Sequence, residues 1–81
     1  MSDQALASRI GDFVKYHRLE QNKTQEVMSH EAGISRSTLS LLERGETVTL
    51  ATLLQVLRVL DQLQVMDAFV VEPRISPNTN G

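Results

Sequence analysis

Side chains able to do chemistry gather in one short stretch, Ser35-Arg36-Ser37-Thr38, with Ser40 and Arg44 close behind it. Ser35, Ser37 and Ser40 have no neighbouring histidine and carboxylate set of the kind that activates a nucleophile, so hydrogen bonding and helix capping account for them. His17 and His30 fall on different helical segments, spacing suggests no third ligand, and the chain has no cysteine. A metal site is therefore not expected, nor is a disulfide scaffold. No glycine-rich phosphate loop is present either. These residue types describe a binding protein, not an enzyme, and one without a cofactor.

Composition narrows what can be bound. With 81 residues, 41% of them hydrophobic and 22% charged, the chain suits one small globular domain. Phe13, Tyr16 and Phe69 are the only aromatics, too few for a stacking platform on single-stranded nucleic acid. Eight basic against ten acidic side chains give a net charge of -2, so no broad electropositive surface is available, and any grip on DNA must be locally organised. The N-terminus lacks a basic segment followed by a long apolar run, and no stretch approaches membrane-spanning length, which points to a cytoplasmic protein with no membrane partner.

The elements that must position the polar stretch are helices. Apolar residues recur at three- and four-residue spacing, and both prolines, Pro73 and Pro77, lie near the C-terminus. Ile10, Phe13, Val14 and His17 share a face of a helix expected from about Ser8 to Gln21. Thr24 caps a second, running to about Glu31, and Gly33 supplies a tight turn. Ser35 caps a third, from Arg36 to about Arg44, and Gly45 stands where a helix end often takes a left-handed residue. Thr49 caps a fourth, with Leu50, Leu53, Leu54, Leu57 and Leu60 as its stripe. A fifth, shorter helix begins at Asp61 or Gln62 and presents Leu63, Met66 and Phe69. Residues 1–71 are expected to form one all-α domain, a compact five-helix bundle, and 72–81 an extended or disordered tail.

The stretch Thr24 to Gly45, TQEVMSHEAGISRSTLSLLERG, places two short helices around a glycine turn, the second opened by polar residues. A helix N-terminus in that setting can be pushed at DNA. The same geometry suits bland packing in an all-helical protein, and the polar helix start with the Glu-Arg-Gly ending turns the balance towards DNA. Over about residues 8 to 60 the chain resembles the Cro/Xre type of phage-repressor-like (lambda-repressor-like) helix-turn-helix domain. The family's buried positions fall on Met28, Ala32, Ile34, Leu39 and Leu42, its small crossing residue on Ser29 and its turn glycine on Gly33.

The resemblance implies that the third helix enters the major groove with Arg36, Ser37, Ser40 and Leu41 towards the base edges. Arg36 can pair bidentately with guanine, and the serines can bond to either base type. Leu41 stands where relatives more often carry a polar side chain; it either touches a thymine methyl or is an exposed leucine. Phosphate contacts fall to Thr24 and Gln25 at a helix N-terminus, with Lys23, Thr38 and Arg44 as further candidates, although Thr24 also serves as a cap and Thr38 also suits packing at the helix start. Arg18 and Glu43 are placed opposite each other as a structural salt bridge. His17 takes a position where relatives have an aliphatic residue, and is expected to pack partly buried. Glu46 stands where relatives often carry Lys or Arg, which weakens the grip of a monomer.

A single helix-turn-helix reads few base pairs, so a homodimer on an inverted repeat is expected, with Leu63, Met66, Phe69 and Val70 at its interface. The leading reading is a sequence-specific regulator of transcription on double-stranded DNA, most simply a repressor. Two alternatives stand beside it: an antitoxin that represses its own operon while holding a toxin through residues 72–81, and a protein-interaction module that no longer binds DNA.

Overall fold

Each of the four α-helices opens on a hydroxyl residue and closes on a residue in left-handed conformation. In the computed structural model, which describes residues 1–71, Ser2 precedes α1 (Asp3–Glu20), Thr24 precedes α2 (Gln25–Ala32), Ser35 precedes α3 (Arg36–Glu43) and Thr49 precedes α4 (Leu50–Val59). Each hydroxyl oxygen accepts from the N–H three residues on, at 3.1 Å from Ala5, 3.1 Å from Val27, 3.0 Å from Thr38 and 3.1 Å from Thr52. Such a bond satisfies a first-turn donor with no intrahelical partner, and each is worth about 1 kcal/mol.

At the other ends Asn22, Gly33, Gly45 and Asp61 take φ of +57°, +71°, +82° and +58°. In every case this residue's N–H donates to the carbonyl three residues back, and the next N–H donates to the carbonyl five back. Those two bonds make a Schellman closure, and Gly, Asn and Asp are the residue types that enter left-handed backbone most readily. The short connections of the bundle are thus written into single residues.

α3 packs against α1 and α2, and α4 packs against α2. Val14, Met28, Ala32, Leu39, Leu42, Val56 and Leu60 form the buried core, with Ile34, Val48, Leu53 and Val59 partly buried around it. Among the described residues there is no strand, and no helix is long and apolar enough to cross a membrane.

The structure moves several expected boundaries. α1 starts at Asp3 and not near Ser8, because Ser2 caps it and Ala5, Leu6 and Ala7 are good helix formers. Its buried stripe is Gly11, Val14 and Arg18, one position round from the expected face, and Ile10 is exposed. On α4, Leu50 is exposed and Val56 is fully buried. The fifth helix is a 3₁₀ segment, Leu63–Phe69, which packs on α4 without burying any residue. Leu63 and Met66 are half-buried there, whereas Phe69 and Val70 are 76% and 64% exposed. The tail assigned to 72–81 lies outside the described residues.

Candidate nucleic-acid interface

The outward face of α3 follows from its period. Leu39, Leu42 and Glu43 turn inward, so at 100° per residue Arg36, Ser37, Ser40 and Leu41 are left on the opposite side, with Arg44 following them. These five side chains and Gln25 line a shallow concavity of about 430 Å³. All four residues expected at base edges are brought together there, with two of those expected at phosphates. Arg36, Ser37, Leu41 and Arg44 are exposed, and Ser40 is half-buried. Arg36 also borders a second hollow with Arg18, Thr24, Gln25 and Glu26, so it stands between the start of α2 and the α3 face.

Two candidates do other work. Thr38 belongs to the cap of its own helix: its N–H donates to Ser35 Oγ at 3.0 Å, and its Oγ1 lies 2.7 Å from the same oxygen. Lys23 borders neither hollow, and its ammonium donates to Glu31 Oε1 at 2.8 Å. Thr24 Oγ1 holds the start of α2, and Gln25 points its amide at Glu43.

Behind the face, α3 is held by a buried polar cluster. Arg18 Nε donates to Glu43 Oε2 at 2.6 Å and its Nη2 to Glu43 Oε1 at 3.0 Å, a bidentate pair whose side chains are only 8% and 4% exposed. Gln25 Nε2 donates to Glu43 Oε1 at 3.0 Å, and Arg18 Nη1 donates to the Lys23 carbonyl at 2.8 Å. One carboxylate at the end of α3 therefore receives donors from α1 and from the start of α2. Both charges are compensated and hydrogen-bonded, the condition for keeping them out of water.

Sequence reasoning missed Gly11. A Cβ there would lie 2.6 Å from the carbonyl oxygens of both Leu42 and Glu43, so the α1 backbone rests directly on the last turn of α3. A Cβ on Gly45 would come 2.8 Å from Ser8 Cα. Ser8, Gly11, Val14 and Arg18 follow one stripe of α1, and that stripe is the bed on which α3 lies. The available signal was a glycine inside an otherwise strong helical pattern, which costs about 1 kcal/mol against alanine and so points to a close approach. His17 packs half-buried against Phe13, ring centroids 4.4 Å apart, with Tyr16 edge-on at 5.1 Å.

A family model described as helix-turn-helix matches residues 14–64, more than half of the chain. No curated protein matches it.

Proposed function

The chain belongs to the Cro/C1-type helix-turn-helix family of DNA-binding proteins, and from that premise we propose a sequence-specific transcriptional repressor that acts as a homodimer on an inverted-repeat operator. It works by binding and not by catalysis. The observation that carries the reading is the meeting of Arg36, Ser37, Ser40 and Leu41 with Gln25 and Arg44 around one outward hollow. A helix presenting such a face fits the major groove, which is about 12 Å wide.

Arg36 supplies the fork for guanine O6 and N7, and the two serines each donate or accept at the neighbouring edges. Arg44 and the first backbone N–H groups of α2 take phosphate oxygens on either side and fix the register. The Arg18–Glu43 pair makes no contact with DNA in this reading. It sets the angle at which α3 leaves the domain.

Eight residues of α3 span about 12 Å, enough for only a few base pairs, so useful specificity calls for a second copy. The surface that supports pairing is apolar: Leu6, Ile10, Leu50, Val65 and Phe69 stand exposed around a hollow between α1, α4 and the 3₁₀ segment. Met66 lines it half-buried, and Leu63, half-buried, and Val70, exposed, lie on or next to the same 3₁₀ segment.

Selection of bound duplexes from a random pool tests the proposal. An inverted repeat with half-sites about 10 base pairs apart is expected, with retention lost in Arg36→Glu and a dimeric mass in sedimentation. Enrichment of nothing at low salt, or an Arg36→Glu variant that binds as well as the parent, refutes it and favours a module that binds protein instead, a role compatible with the net charge of -2.

A further inference from the structure

We propose that Leu41 reads the C5-methyl group of a pyrimidine, and so sets specificity at one base pair of each half-site; the proposal rests on the DNA-binding reading above. Leu41 is the one apolar side chain among the six that line the α3 hollow, and it is 37% exposed. Its backbone is held firmly. The Leu41 carbonyl accepts from Arg44 N–H at 3.2 Å and from Glu46 N–H at 2.9 Å, the second being the outer bond of the closure at Gly45.

Helical period spreads the outward face in the angular order Arg36, Ser40, Arg44, Ser37, Leu41. Arg36 lies at the edge shared with α2, beside Thr24 and Gln25, and Leu41 lies at the opposite edge. The two ends of the face therefore meet different base pairs. Every base edge in the major groove offers hydrogen-bond donors or acceptors, and the only apolar feature is the C5-methyl of thymine. A leucine laid over any other edge would strip water from a donor or acceptor without replacing the bond. Over a methyl it removes apolar surface from water on both sides. The side chain thus discriminates twice, by attraction to the methyl and by the cost of its absence. Thymine supplies this group, and 5-methylcytosine presents the same group at the same ring position.

Duplexes enriched by the full chain from the random pool serve as the probe. Each thymine of a half-site is replaced in turn by uracil, which deletes only the methyl, and each cytosine by 5-methylcytosine. One position is expected at which the methyl matters roughly threefold to fivefold in affinity, the size of one buried methyl group. A loss on uracil identifies thymine as the source, and a gain on methylation identifies 5-methylcytosine. In Leu41→Ala, a helix-compatible change at an exposed site, the ratio between methylated and unmethylated probes falls to near one, measured at whatever affinity the variant keeps. Indifference of the parent protein to both replacements, or an unchanged ratio in Leu41→Ala, overturns the assignment and leaves DNA binding standing. Failure to enrich any duplex overturns both.

Discussion

Replacing Arg18 by leucine isolates the contribution of the buried cluster behind the recognition face. Glu43 now receives three N–H donors, two from Arg18 and one from Gln25, with its side chain 4% exposed. Arg18→Leu leaves the carboxylate with the Gln25 amide alone and no counter-charge. Removing one member of a buried pair costs about 3–5 kcal/mol, because the remaining charge stays desolvated without compensation. At roughly 0.05–0.15 kcal/mol per residue, a domain of this length has about 4–12 kcal/mol in total, so the single variant loses a large share of its stability. The midpoint of melting should fall by about 4–8 °C for each kcal/mol lost. Arg18→Leu with Glu43→Leu should recover most of the loss, since a buried ion pair exchanged for apolar side chains is often neutral or better. Gln25 and Lys23, which lose partners in that double variant, are only half-buried and keep access to water. Urea denaturation followed by far-ultraviolet circular dichroism, with both single variants and the double, closes the cycle. A single-variant loss under about 1 kcal/mol, or a double variant as unstable as Arg18→Leu, would refute the account.

Two further outcomes follow from other features. Gly33 and Gly45 share a left-handed φ, but a Cβ at Gly33 meets nothing within 4 Å and one at Gly45 comes 2.8 Å from Ser8 Cα. Gly33→Ala should therefore cost only the backbone penalty of about 1–2 kcal/mol, and Gly33→Asn less still, since Asn22 does the same job at the end of α1. Gly45→Ala should cost clearly more in the same denaturation assay, and equal losses would show that the approach to Ser8 does not matter. The salt dependence of operator binding should be shallow. With Lys23 engaged by Glu31, Arg44 is the main cation offered to phosphates, so two to four neutralised phosphates per dimer give a slope of about -2 to -4 in log K against log salt. A titration slope steeper than about -6 would mean that other cations carry the grip.

How much was legible divides along a physical line. Caps and helix ends are local, so Thr24, Ser35, Thr49, Gly33 and Gly45 could be read directly, Met28, Leu39 and Leu42 followed from hydrophobic spacing within two short helices, and Ala32 came from the resemblance. Arg36, Ser37, Ser40 and Leu41 came from the resemblance, and the fold agrees in leaving them on the side of α3 opposite the buried one. The inward face of α1 was not legible in the same way. Periodicity seeks apolar side chains, and Ile10, Phe13 and Val14, with His17, supply a plausible stripe. The stripe that packs on α3 instead runs through Ser8, Gly11, Val14 and Arg18, three of which carry little hydropathy signal. The Arg18–Glu43 ion pair was expected from the resemblance and not from periodicity, and the backbone approach at Gly11 exists only once α1 and α3 have crossed. The same holds for Lys23, whose partner Glu31 is eight residues away and outside any helical spacing that includes both.

The placement of these non-local contacts ties α1 to the orientation of α3, and so, in the proposed reading, to the face offered to DNA. Gly11 meets the last carbonyls of α3, Gly45 meets Ser8 just beyond that helix, and Arg18 holds Glu43 at its final residue. All three fix the C-terminal end of α3, while the N-terminal end is held by its Ser35 cap, the turn at Gly33 and the packing of Leu39 in the core it shares with α2. A short helix pinned at its end away from the turn keeps its outward face at one angle relative to α2, where Gln25 shares both the hollow and the carboxylate. The Gln25 amide links the buried cluster to the outward face: its bond to Glu43 holds it in the hollow it shares with Arg36, so in the proposed reading the two residues would meet DNA in a fixed relation. Specificity over a few base pairs would depend on such relations between side chains, and Gly11, Arg18 and Glu43, outside the proposed base-facing set, are the residues that hold them.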